Sequence, residues 1–258
     1  MVASRVRTLL LAALLCISTA VEAAPRSLLF VTQIFPPIIE NAGGDKLGGA
    51  QVEILQEACR RLDWRCEVRA MVWKRALRTI SLGEADGLLL VQDVADRRAV
   101  MELSLPVLLS SYGLYVLNGN PLRYRQPADL SGHVLAVYGP SLSQANSEQL
   151  LQGVAGVTEQ VEPDPQTVLR KLAAGRYGAA AVAFSNADIA RYWILQDGLS
   201  SVHQLATIKS ISYMFGFTRS RLQPGTLDAF NQVLLSMCRD GSMSRLAGRY
   251  SLLAAGCH

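Results

Sequence analysis

The chain has 258 residues, 50% of them hydrophobic and 18% charged, which excludes a disordered or low-complexity polypeptide and allows a substantial core. Its 25 Lys and Arg against 21 Asp and Glu leave a net charge of +4 with no run of like charge, too weak and too even for nucleic-acid binding. Twenty Gly and ten Pro without a fixed period argue against collagen-like, solenoid and linker-rich architectures, so one or two compact units with small-molecule or protein partners are expected.

At the N-terminus, Arg5 and Arg7 precede the apolar run 9–17, and small residues follow around Val21-Glu22-Ala23. This is the layout of a secretory signal peptide, with cleavage expected after Ala23. The apolar run is too short to cross a bilayer, which takes about 20 residues. Lipid attachment at Cys16 is disfavoured because Leu15 stands where a small residue is needed. Loss of residues 1–23 removes two Arg and one Glu and leaves +3. A soluble periplasmic protein is expected.

Four cysteines remain, Cys59, Cys66, Cys238 and Cys257, an even number for an oxidising compartment, and two disulfides are expected. Three pairings can be drawn. The local one, Cys59 with Cys66 and Cys238 with Cys257, is expected because each bridge then closes within one supersecondary unit. There is no CxxC, and His133, His203 and His258 are scattered, so no metal site and no cofactor are expected.

In chain order, residues 28–32 read as a short strand before a Pro36-Pro37 loop and a glycine-rich turn region at 43–49. Val52, Leu55, Cys59 and Leu62 fall at helical spacing. A strand at 67–71 follows, then a helix at 73–82 stopped by Gly83, then an unbroken apolar strand at 87–91. Alternation of this kind predicts a parallel-rich α/β sheet covered on both faces. After a strand at 112–117 and turn signals at 119–127, the same elements begin again: a strand at 134–137 and a helix opened by Ser141, which with Gln144 has the spacing of a capping box. Asp164-Pro165 opens another helix that ends at Gly175, before a strand at 179–183. A strand at 213–218 and helices at 227–239 and 242–250, broken at Asp240-Gly241, complete the chain.

Several short motifs keep a fixed order along this pattern. They are Phe35-Pro36-Pro37, Gly49-Ala50-Gln51-Val52-Glu53-Ile54, Gly83-Glu84-Ala85-Asp86, Asp96-Arg97-Arg98 followed by Leu103-Ser104-Leu105-Pro106, Gly139 before a helix, Ala174-Gly175-Arg176, and Asp240-Gly241. Each alone is weak. Together, from about Leu28 to Tyr250, they make the chain resemble the periplasmic solute-binding proteins of family 3 that feed amino-acid ABC importers, and the Cys59 and Cys66 spacing is similar to that of a bridge in its histidine and basic-amino-acid binders. The resemblance implies an α/β, two-lobed periplasmic binding protein fold of type II, each lobe a mixed sheet flanked by helices, with two crossover strands as the hinge. Lobe one is expected to span 24–116 and 211–258, lobe two 117–210. All four cysteines then fall in lobe one, and hinge closure around a solute is the expected motion.

The same resemblance places Arg97 where family members hold a ligand carboxylate, a task suited to the planar fork of a guanidinium. It places Ser141 at a helix start that offers a hydroxyl and N–H groups to the same anion, Phe35 and Trp73 as aromatic walls, and Gln92 on the cleft. Arg75 lies within two residues of Trp73. Two departures stand out. Gln92 occupies a position usually held by Ser or Thr, and the region of Ala183 lacks the Asp that pairs with a ligand ammonium, with Glu40, Glu53 and Asp93 as the acids available to substitute. A buried ammonium without an anion is costly, so a ligand with a carboxylate and no conventional amine site is expected.

The function expected is capture of a small, carboxylate-bearing, amino-acid-like solute for an ABC importer or membrane sensor, by a monomer. The alternatives are a periplasmic enzyme of the cyclohexadienyl-dehydratase kind on the same fold, and a ligand-free accessory protein of a membrane receptor. No Ser/His/Asp arrangement, HExxH or GxSxG is present, so no catalytic residue is assigned.

Overall fold

The computed structural model describes residues 26–44 and 46–257. The signal peptide expected over 1–23 lies outside the described residues. The elements run β1 Ser27–Thr32, β2 Glu40–Asn41, β3 Leu47–Gly48, α1 Ala50–Arg61, β4 Arg65–Ala70, α2 Trp73–Ser81, β5 Gly87–Val91, α3 Ala95–Val100, β6 Met101–Leu103 and β7 Leu108–Leu117. They continue with β8 Val134–Tyr138, α4 Leu142–Leu150, β9 Thr158–Glu162, α5 Pro165–Ala173, β10 Val182–Asn186, α6 Ala187–Gln196, β11 Val202–Thr218, α7 Thr226–Arg239, α8 Ser242–Gly248 and β12 Leu253–Ala254.

The main sheet has the order β4-β1-β5-β11-β7-β10-β8-β9. At one end β1 pairs in parallel with both β4 and β5, and at the other β8 pairs in parallel with both β9 and β10. Between them β11 runs antiparallel to β5 and β7, and β10 antiparallel to β7, so the sheet is mixed. The apolar side chains separate into cores on either side of the β7–β11 ladder. Phe30, Ile54, Leu55, Leu108, Tyr213, Phe215, Phe217 and Phe230 belong to one. Tyr112, Leu114, Val116, Leu135, Val137 and Phe184 belong to another. Ile211 packs against both. Two lobes result, with β7 and β11 passing from one to the other.

Local chemistry explains the entry into the first lobe's main helix. Gly49, at the N-cap of α1, has φ +97°, and a Cβ there would lie 2.5 Å from the carbonyl oxygen of Ile38, so only glycine fits. Two residues later, the fully buried Gln51 amide donates to Met214 O at 2.9 Å and accepts from Leu90 N–H at 2.9 Å, joining α1, β5 and β11. Leu90 takes φ +62°, a costly conformation for a branched residue, and β11 slips register opposite it, between Met214 and Gly216.

Cys59 is bonded to Cys66 and Cys238 to Cys257, with Cα separations of 6.2 and 5.5 Å. Both bridges sit beside the first core. Several elements differ from the sequence expectation. The strand expected at 179–183 is β10, three residues later, because Gly178 at φ +94° and the Ala181 N–H to Gly178 O bond make 178–181 a turn. The strand expected at 213–218 is the last third of the 17-residue β11. The Ser141 hydroxyl accepts from Ser143 and Gln144 N–H, but the Gln144 side chain donates to Glu148 rather than returning to the cap, so half of the expected capping box forms.

Candidate functional site

Between the lobes lie two connected cavities that share Gln33, Trp73, Tyr138, Ser141 and Leu142 in their walls. The inner chamber is floored by Leu90, Gln92, Tyr112 and Tyr213 and has a volume of only about 40 Å³. The outer cavity reaches Ile34, Met71, Leu77, Arg97, Pro140 and Pro163 and has about 1040 Å³, at the upper end of the ~300–1,000 Å³ usual for ligand sites.

Each wall is set by an element end. Trp73 is the first residue of α2, and Phe35 follows β1 in the turn where Phe35 and Ile39 bridge. Tyr138 ends β8 and faces the Phe35 ring across the gap at 6.4 Å between centroids, while its hydroxyl lies 3.5 Å from Gln33 Oε1. Gln92 Nε2 donates to the Tyr112 hydroxyl at 3.0 Å. The Tyr213 hydroxyl accepts from Asn186 Nδ2 at 3.3 Å. Burial pushes both phenols above their ordinary range, well above it for Tyr213, so both stay neutral.

Arg97, on the short helix α3, supplies charge to this space. Its guanidinium carbon lies 5.7 Å from the centroid of the Trp73 ring, within cation–π range. Its Nε is buried without a hydrogen-bond partner. Burial lowers its pKa, with Asp96 opposing. An unsatisfied donor of this kind is uncommon and calls for a partner.

The cavities bring together all five ligand-binding residues expected from the sequence: Phe35, Trp73, Gln92 and Ser141 border the inner chamber, and Trp73, Ser141 and Arg97 the outer cavity. The Ser141 hydroxyl is committed, since it also donates to Tyr138 O at 2.7 Å. Its helix still presents the positive end of the α4 dipole. Arg75 is exposed and lies outside both walls. Ala183 is not a cleft position: it is fully buried in the core beside Val168 and Leu169. Three residues later on β10, the neutral Asn186 bonds to the Tyr213 hydroxyl on the chamber floor without bordering either cavity itself. Of the substitute acids, Asp93 is bound to Arg98, and Glu53 to Arg249 and Tyr250; Glu40 borders neither cavity. His133 bonds to Ala180 O and His203 to Asn118, both away from the cleft. Sequence reasoning missed Gln33, Lys74, Tyr112, Tyr138 and Tyr213. Only Tyr138 carried a signal, standing directly before Gly139-Pro140-Ser141.

Two α/β lobes with a cation-bearing cavity between them define a solute-binding protein. More particularly, residues 29–252 match the model of the bacterial extracellular solute-binding proteins, family 3, and the chain belongs to that family. It is similar to the L-cystine-binding protein TcyJ of Escherichia coli strain K12, 23% identical over 226 residues covering 84% of this chain and 79% of the relative. Among solved structures, a histidine kinase sensor domain with similarity to periplasmic binding proteins superposes with a TM-score of 0.77 at 17% identity, over 90% of this chain and 99% of its own. An ancestral arginine-binding protein bound to arginine gives 0.75 at 18%, over 88% and 99%. These structures share the two-lobed fold. Among the described residues, no helix is long and apolar enough to cross a membrane.

Proposed function

We propose that this chain captures a small, carboxylate-bearing, amino-acid-like solute between its lobes and presents it, as a periplasmic monomer, to an ABC permease or membrane sensor. Arg97 carries the reading: a guanidinium beside a ligand-sized cavity, with a buried Nε that lacks a partner, is a fork awaiting an anion. The family and the cystine- and arginine-binding relatives support an amino-acid-like cargo. Export through residues 1–23, cleaved after Ala23, is part of the proposal. So is the division into a first lobe of 24–116 with 211–258 and a second lobe of 117–210. Capture rather than turnover is proposed because, among the described residues, no Asp, Glu or His borders either cavity to serve as the usual proton-transfer group.

A thermal-shift screen of the oxidised protein against amino acids, their derivatives, organic acids and polyamines tests the reading. Ligand at 100 times its Kd stabilises the folded state by about 2.7 kcal/mol. A shift abolished by Arg97→Ala is expected, and a shift that survives Arg97→Ala would sink the proposed anchor.

A further inference from the structure

We infer that the ligand is an organic anion with a bulky apolar or aromatic body and no free ammonium group, its carboxylate on Arg97 and its body in the outer cavity. The inference rests on the solute-capture reading and narrows its cargo.

Space points outward. The inner chamber's 40 Å³ is far too small for a solute's body, because Tyr112, Tyr213, Leu90 and Gln92 fill it, whereas the outer cavity has 1040 Å³. Arg97 borders the outer cavity and not the inner one. A carboxylate on its fork therefore has its substituent in the space walled by Ile34, Met71, Leu77, Pro140, Leu142 and Pro163. Trp73 and Tyr138 add aromatic faces suited to a flat or branched body.

Charge points the same way. The charged residues on the cavity walls are Lys74 and Arg97, both positive. The acids on neighbouring elements are engaged elsewhere. Asp164 accepts from the Thr167 N–H and hydroxyl at 2.7 and 2.8 Å. Asp188 accepts from the Ser110 hydroxyl at 2.6 Å and pairs with Arg191 at 2.7 Å. Asp93 pairs with Arg98. Asp96 is exposed and absent from both walls. An ammonium in this cavity would lose water, meet two cations and find no carboxylate, and each of these disfavours it. Removing that charge by acylation, or leaving out the nitrogen, removes the penalty and keeps the Arg97 contact.

Calorimetric titration of the full mature protein with a matched series tests this: phenylalanine and leucine, their N-acetyl derivatives, 3-phenylpropionate, and acetate. The N-acetyl and des-amino acids are expected to bind at least tenfold more tightly than the parent amino acids and acetate. Parent amino acids that bind equally or better would overturn the inference and leave solute capture standing, as would acetate binding as tightly as the bulky acids. Silence from the series and from the whole amino-acid panel would overturn both. Lys74 is exposed, so Lys74→Glu should fold. It is expected to weaken the N-acetyl acids at least tenfold and shrink their advantage over the parents; an unchanged advantage would overturn the electrostatic account.

Discussion

Arg97 concentrates the argument at the scale of single residues. Its neighbours Asp96 and Arg98 make it look like one charge in a solvated loop, and only position in a motif distinguished it in the sequence. The structure separates the three: Arg98 pairs with Asp93 in solvent, whereas Arg97 turns inward over Trp73. An unsatisfied buried donor costs about 1–3 kcal/mol, reduced here because the rest of the side chain is only partly buried. Arg97→Met keeps the stem on Trp73 and removes the donor. It is expected to raise the unfolding free energy of the empty protein by about 1 kcal/mol while abolishing ligand binding. Urea denaturation with and without ligand checks both effects, and a loss of empty-state stability would mark the guanidinium as structural.

Among elements, α1, α7 and α8 are held at their ends by Arg61. It bonds to Glu57 at 2.8 Å, Asp240 at 2.6 Å, Ser236 at 3.3 Å and Ser242 at 2.9 Å. Hydrogen bonds from Arg60 and Arg61 pull the Glu57 pKa from its ordinary 4.5 down to about 2. Asp240 is lowered too, by the Ser242 hydroxyl and N–H and then by Arg61. Carboxyls depressed in the folded state contribute stability above their unfolded pKa and lose it as pH falls through the folded one. Stability is therefore expected to decline from about pH 4.5 towards pH 2. Arg61→Gln should cost about 1 kcal/mol at neutral pH and flatten that decline, as acid titration of the urea midpoint would show. The elements themselves were unevenly legible. Helices closed by glycine, such as α2 and the Asp164-capped α5, were found to within a residue or two. α6 was missed because Ile189, Tyr192, Trp193 and Ile194 favour strands as readily as helices, and its Asn186 cap sits at the end of a strand. The first two thirds of β11 was missed because His203, Gln204, Thr207, Lys209 and Ser210 face solvent on the edge strand of the second lobe's sheet, where no apolar run is required. The cleft was legible wherever a motif carried it. Tyr112 and Tyr213 come from within core strands and give no local sign.

For the molecule as a whole, both disulfides staple one lobe, closing separations of 7 and 19 residues. Loop-closure entropy gives about 2.5 and about 3.3 kcal/mol for loops of these sizes. Replacing Cys238 and Cys257 together by Ala is expected to lower stability by about 3 kcal/mol and leave ligand affinity within twofold, because β7 and β11 are uncrosslinked and the cleft walls lie elsewhere. Denaturation and calorimetry of the double variant check this, and a large affinity loss would show that the staple shapes the cleft.

The position of β11 also dictates an order of assembly. Its residues 214–218 lie between β5 and β6, yet they follow the whole of the second lobe along the chain. The lobe synthesised first lacks this returning strand until then, while the later-made second lobe is one continuous stretch of chain that can pack as soon as it emerges. The half made first is thus completed last. Pulsed hydrogen exchange during refolding should protect β8 and β10 before β1 and β5, and the reverse order would show that the first lobe closes without its returning strand.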